Sequence, residues 1–280
     1  MWKCQCDCGN ITVTTGSHLR SGETKSCGCT HKLSKGIAVF HCKLSGMKAG
    51  AKRKHIDWAL SDDEVMRLMK QNCYYCGTIP TPSKNKRYLA GSLNGDFPSN
   101  GLDRVDSQRG YTSDNVVPCC SSCNFMKRAM TISKFKQKVS KIYRYPRKEE
   151  VKGEVIELDK LASEEKHALK LTLQNTKKNA RIRELYWAIS DEFALDLMCQ
   201  PCFYCGSLPE IHNNYRITNS IKCSFRYNGI DRVDNSKGYI LDNVVPCCSD
   251  CNYMKRAMSI SEFKDRIAKI YKYWIENGDS

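Results

Sequence analysis

Hydrophobic and polar positions along the 280-residue chain sort into short elements of two kinds. Ser61 to Lys70 starts with acidic residues and sets Val65, Leu68 and Met69 on one side, which predicts a short helix. Ile132, Phe135, Val139 and Ile142 recur at spacings of three and four, so a further helix carries one apolar stripe there. Its second occurrence opens with Ser259-Ile260-Ser261-Glu262, the pattern of a capping box. Between these, Val105 and the pair Val116 and Val117 mark two short strands, with Gly110 and Tyr111 in the loop that joins them. A helix is expected from about Ser121. The order is helix, cysteine pair, strand, loop, strand, helix, helix.

That order occurs twice. Residues 101–130 and 229–258 differ at only eight of thirty positions, at an offset of 128. Upstream the offset is 129, pairing Trp58 with Trp187, Cys73 with Cys202 and Cys76 with Cys205. Downstream, 132–145 matches 260–273. Internal repetition on this scale predicts two homologous modules, 41–145 and 169–274. A cysteine-rich segment, 1–36, precedes them. The intervening 146–168 begins with Pro and is rich in Glu and Lys, which reads as a solvated, partly helical linker. The last four residues, 277–280, are expected to fray.

Charge narrows the function. Forty-five Lys and Arg face 30 Asp and Glu, a net of +15, which points to a polyanionic partner, most often nucleic acid. Apolar runs such as Gly36 to Phe40 fall far short of the roughly 20 residues a membrane span needs. No apolar leader opens the chain, so an intracellular, reducing compartment is expected.

Eighteen cysteines in such a compartment imply metal rather than disulfides. Each module holds Cys-x-x-Cys twice: Cys73 and Cys76 with Cys120 and Cys123, then Cys202 and Cys205 with Cys248 and Cys251. Two such pairs supply the four thiolates of a tetrahedral structural zinc site. A module with two short strands buries little apolar surface, and zinc binding would supply folding energy. Cys119 and Cys247 stand next to the second pairs, but only Cys120 and Cys248 give the two-residue spacing. A third zinc site is expected from Cys6, Cys8, Cys27 and Cys29, with Cys4 as the spare. Cys42, Cys199 and Cys223 have no counterpart in the other module and read as small hydrophobes.

Asp-Arg-Val-Asp, then Asp-Asn-Val-Val-Pro, then Cys-x-x-Cys-Asn-x-x-Lys resembles HNH endonucleases of the His-Me finger class. The opening Cys-Gln-Cys-Asp-Cys segment is similar to a zinc knuckle found beside such domains in phage-type nucleases. The resemblance implies an α+β chain: two tandem zinc-stabilised ββα-metal (HNH-like) modules plus a small N-terminal Cys4 knuckle. It implies a phosphodiester hydrolase acting on DNA, of homing or phage type, with a divalent ion, magnesium or another, beside about three structural zinc ions. Family positions map onto Asp103, Asn115 and Asn124, and onto Asp231, Asn243 and Asn252. Asp103 with Asn124, and Asp231 with Asn252, would hold the ion. Lys127 and Lys255 match the family's basic residue on the metal-site helix. The setting implied is cytoplasmic, or the host cytoplasm or nucleoid for a phage-encoded protein. The expected form is a monomer acting as a pseudo-dimer.

One departure is chemical. Where the family carries its catalytic His, this chain has Arg104 and Arg232. Arginine stays protonated and cannot accept a proton from water. In one reading the two arginines clamp the scissile phosphate, and water is activated by a phosphate oxygen or by a tyrosine such as Tyr111 or Tyr239. In the other, Asp103 and Arg104 form a structural ion pair and the module only binds DNA. Asn115 and Asn243 are expected to fix the loop by hydrogen bonds to backbone, and Asp106 and Asp234 to shape its turn. Lys127, Arg128, Lys255 and Arg256 are the candidate phosphate contacts, whose binding would weaken steeply with salt.

Overall fold

Among the described residues of a computed structural model, four antiparallel strand pairs, none with a third strand, alternate with helices, so the architecture is α+β. The structure describes residues 1–6, 9, 11–27, 36–82, 97–145, 156–216 and 222–276. These fall into two compact units whose limits do not follow the sequence repeat.

The first unit comprises Met1–Cys73, Thr78–Arg104 and Gln108–Cys120. Strand β1 (Trp2–Gln5) pairs with β2 (Ile11–Thr14), and the short helix α1 (Gly16–Arg20) follows. Helix α2 (Ile37–Arg53) buries Val39, Phe40 and Leu44. Helix α3 (Asp62–Met69) is capped by Ser61, whose hydroxyl accepts from the Glu64 amide at 3.3 Å. The core joins these two helices to Phe97, Leu102 and Val116, the last two on β3 (Gly101–Arg104) and β4 (Val116–Cys119). In that hairpin Asp103 stands opposite Val117 and Arg104 opposite Val116. Val105, expected in the strand, lies just past its end. Helix α2 was not legible, because four Lys and Arg interrupt its apolar pattern.

The second unit comprises Tyr74–Gly77, Val105–Ser107 and Ser121–Ser280. It therefore holds the last two helices of the first repeat, α4 (Ser121–Lys127) and α5 (Ile132–Arg144). Next come a 3-10 turn (Leu158–Lys160), α6 (Ser163–Ile182) and α7 (Asp191–Cys199). The hairpin β5 (Glu210–Arg216) and β6 (Lys222–Tyr227) precedes β7 (Gly229–Arg232) and β8 (Val244–Cys247). The chain closes with α8 (Ser249–Lys255), α9 (Ile260–Ile270) and a π-helical turn, Tyr271–Glu276. Leu169 and Leu173 of α6, Leu195 and Met198 of α7, and Phe225, Ile230 and Val244 of the strands share one core.

Ile156, Leu158 and Leu161 pack against this core, and α6 begins at Ser163. The described part of the segment read as a linker is thus partly folded onto the second unit. Helices α5 and α9 lie against each other, with Tyr75, Phe135 and Trp274 in edge and tilted ring contacts of 4.9 to 5.8 Å. Tyr143 stacks on Tyr271 at 4.0 Å, and the Arg144 guanidinium donates to the Tyr271 hydroxyl at 3.0 Å. These tyrosines are helix-end packing.

Candidate functional site

Two buried clusters bring four thiols together: Cys73, Cys76, Cys120 and Cys123, and Cys202, Cys205, Cys248 and Cys251. Within each, all sulfurs lie within 4.8 Å of one another. The Sγ atoms of Cys205 and Cys248 are 3.8 Å apart. A tetrahedron with Zn–S bonds of about 2.3 Å has an edge of about that length, so the donor set fits structural zinc.

Local sequence builds the second cluster. The Cys202 amide donates to the Ser207 carbonyl at 2.8 Å and the Gly206 amide to the Cys202 carbonyl at 2.8 Å, closing a knuckle around the first pair. Gly206 sits at φ +63°, in the left-handed region that favours glycine. A side chain there would also collide with the Tyr145 ring. The second pair comes from α8: Cys248 caps it and Cys251 lies in its first turn. Asn228, buried ahead of β7, donates to the Gln200 carbonyl at 2.8 Å and to the Ser207 carbonyl at 3.3 Å. Asn100 does the same ahead of β3, reaching Gln71 and Thr78 at 2.9 Å each. Neither asparagine was singled out from sequence, although Asn-Gly before each Asp-Arg was the available signal.

Cys119 and Cys247 are buried but stand outside the two clusters. Cys199 is buried in the core, where burial and then nearby Asp196 push its thiol up to about 11. Of the N-terminal candidates, Cys6 and Cys27 are half-buried, whereas Cys8 and Cys29 lie outside the described residues.

Beside the second cluster, β7 presents Asp231, 5% exposed. Its Oδ2 accepts from the Tyr204 hydroxyl at 2.7 Å and lies 3.1 Å from the Lys255 ammonium. Its Oδ1 accepts no hydrogen bond from a described residue. Burial and then the Asp231 carboxylate push the Tyr204 phenol far above its ordinary value, so Tyr204 stays protonated and serves as a donor. Tyr204 was missed in the sequence. The tyrosine shared by Cys-Tyr-Tyr-Cys and Cys-Phe-Tyr-Cys was the signal.

Arg232 is turned into the protein. It is 5% exposed; Nη1 donates to the Asn235 and Lys237 carbonyls at 2.8 and 2.6 Å, and Nη2 to the Asn235 side chain at 3.2 Å. The expectation of a phosphate clamp at Arg232 is therefore corrected: its donors pin the loop after β7. Nor does it pair with Asp231, whose cationic partner is Lys255. Arg104 is half-buried, with its Nη1 donating to the Arg109 carbonyl at 2.5 Å. Tyr239 is buried, its ring stacked 4.5 Å from Trp187, while Tyr111 and Trp58 make a similar contact at 4.7 Å.

The asparagines after the loops bond to its backbone. Asn115 Nδ2 donates to the Gly110 carbonyl at 2.8 Å. Asn243 Nδ2 donates to the Gly238 and Asp234 carbonyls at 2.9 and 3.0 Å, and its Oδ1 accepts from the Asp234 amide at 2.8 Å. The Asp234 carboxylate in turn accepts from the Ser236 amide and hydroxyl, at 2.9 and 2.7 Å.

Two of the four proposed phosphate contacts are corrected. Lys127 and Lys255 are fully buried, and the Lys255 ammonium is satisfied by Asp231 and by the Arg232 carbonyl at 3.0 Å. A lysine so enclosed orients the carboxylate and does not reach a ligand from solvent. Arg128 and Arg256 remain exposed and lie crosswise, over the Tyr253 ring at 3.6 Å and the Phe125 ring at 4.2 Å. Both hold positive φ, 51°. Asn252 is exposed on α8, one turn before Lys255 and on the same face, with no side-chain hydrogen bond among the described residues. Asn124 is half-buried at the equivalent place on α4.

Comparison with known proteins places this geometry only distantly. No family model matches the chain. Uncharacterized protein R423 of Acanthamoeba polyphaga mimivirus is 28% identical over 231 residues, covering 81% of this chain and 36% of that protein. The chain thus spans about a third of the length of this curated relative. Among solved structures, that of the rare-cutting HNH restriction endonuclease PacI is similar over 47% of this chain and 87% of its own, with 20% identity and a TM-score of 0.26. No helix among the described residues is long and apolar enough to cross a membrane.

Proposed function

We propose that this protein is a zinc-scaffolded, metal-dependent DNA endonuclease of the HNH type, with two phosphodiester-hydrolysing sites on one duplicated chain. The observation that supports it best is the state of Asp231. One carboxylate oxygen is held by Tyr204 and Lys255, and the other accepts no hydrogen bond from the described residues, on the strand that faces α8. A carboxylate oriented through one oxygen is prepared to offer the other to a cation.

Two oxygen donors, Asp231 and the unengaged Asn252 amide, suit magnesium, which keeps several of its waters. Asp103 and Asn124 hold the corresponding sequence positions in the first repeat. An ion held by these residues would supply polarisation of a phosphate oxygen and stabilisation of the leaving oxygen. Tyr204 and Lys255 fix the orientation of Asp231, and Arg232 and Asn243 hold the loop after β7. The exposed Arg128 and Arg256 neutralise backbone phosphates on either side. With arginine in place of histidine and Tyr239 buried, a phosphate oxygen of the substrate is the proton acceptor this reading requires.

A second reading, a zinc-dependent DNA-binding protein without hydrolysis, is favoured by the Lys255 ammonium, which already neutralises Asp231. Supercoiled plasmid decides between them. Magnesium- or manganese-dependent nicking that is lost in D103A D231A supports the nuclease. Salt-sensitive binding with no nicking in either metal overturns it in favour of the silent binder.

A further inference from the structure

Lys138 is a polar residue the sequence places on the apolar side of α5, in the first repeat, yet it is 9% exposed in the second unit. Its ammonium lies 3.4 Å from Cys248 Sγ and 4.0 Å from Cys205 Sγ, two thiols of the second cluster. Asp250, between Cys248 and Cys251 on α8, is 3.4 Å from the same ammonium and 3.2 Å from that of Lys134. One turn further along α5, Lys141 donates to Ser207, in the knuckle after Cys205, at 3.0 Å. Tyr145 fills the space beside Gly206. One helix from the first repeat thus touches the second cysteine cluster at both of its Cys-x-x-Cys turns.

Charge gives this contact a purpose. Four thiolates around a divalent ion leave a net double negative charge, which is costly to keep out of water. A buried ammonium at hydrogen-bond distance from two of the sulfurs offsets part of it. Burial alone would drive a lysine toward its neutral form.

We infer that Lys138, through its ammonium against the Cys205 and Cys248 sulfurs, holds the second Cys4 centre together, so that retention of metal by Cys202, Cys205, Cys248 and Cys251 depends on docking of the first repeat's last helix. The two repeats are then coupled through one metal site. The repeats differ at this position. Arg266, which occupies the equivalent position on α9, makes no hydrogen bond or ion pair among the described residues. This inference rests on the zinc reading of the cysteine clusters and not on hydrolysis.

Zinc release from the full-length, zinc-loaded chain tests it, using excess chelator and a chromogenic indicator. In K138M one equivalent of zinc should leave about ten- to a hundredfold faster, the usual effect of losing an outer-shell partner. The other equivalents should keep their wild-type rates. K138R should restore retention to within a few-fold, and R266M should leave every phase unchanged. Release of all equivalents at wild-type rates in K138M, or equal acceleration of all of them, overturns the inference. Should K138M not fold, the cobalt-substituted wild type is compared with K138R: a shift in the thiolate-to-cobalt bands of one equivalent is expected, and identical spectra overturn it. A protein that takes up neither zinc nor cobalt overturns the zinc reading as well.

Discussion

Lys255→Met isolates the buried ion pair beside the second cysteine cluster. The substitution keeps the length and apolar stem of the side chain and removes its charge. In the native protein Lys255 is fully buried and Asp231 is 5% exposed, with 3.1 Å between ammonium and carboxylate. At an effective dielectric of about 20, charges at that separation attract by about 5 kcal/mol. The Arg232 carbonyl also loses a charged donor. Loss of one partner from such a pair typically costs about 3–5 kcal/mol, because the other charge is left buried and alone. Urea unfolding of the zinc-saturated protein should register a loss of that size. The D231N K255M double variant should recover part of it, since no charge is then stranded. A K255M loss under about 1 kcal/mol, or a double variant worse than the sum of the singles, would refute the argument that Lys255 is present to balance Asp231.

Other consequences are open to simpler measurements. G206A should destabilise the second unit by about 1–3 kcal/mol, through the left-handed φ and the Tyr145 ring, and a melting temperature equal to wild type would contradict it. Chelation should unfold the zinc-dependent elements cooperatively, and a far-ultraviolet dichroism spectrum unmoved by prolonged chelation would count against zinc as a folding element. R128A R256A should weaken DNA binding at low salt and flatten its salt dependence by about two phosphate contacts, whereas an unchanged slope would place the contact surface elsewhere. The Glu262 carboxyl is held below its ordinary 4.5 by the Ser259 backbone amide and then by the Ser259 side chain. Its cap on α9 is therefore fully present above that ordinary value and is lost as pH falls through the lowered one. Amide exchange at the start of α9 should rise across that acidic range, and a Glu262→Gln variant that retains the same pH dependence would exclude the capping box as its origin.

Much of the scaffold was legible because its causes are local. The Cys-x-x-Cys pairs and the Ser259 capping box each depend on residues a few positions apart, so spacing alone specifies them. Repetition then carried the cysteine reading from one half to the other. Harder to see were α2 and α6, whose apolar faces are broken by charge and whose helicity depends on the cores they enter.

Sequence by itself determined the two sets of four thiols, the order of the paired strands and closing helices in each repeat, and the carboxylate and amide at matched positions. It could not distinguish a lysine in solvent from a lysine in the interior. Lys255 and Arg256 are adjacent basic residues, yet the first is enclosed against Asp231 and the second is exposed over an aromatic ring. Only tertiary structure decided that, and only tertiary structure carried Lys138 across 110 positions to the sulfur of Cys248. The physical reason is common to both. Desolvation depends on every element packed around a charge, and those elements are brought together by chain topology over distances that local spacing does not encode.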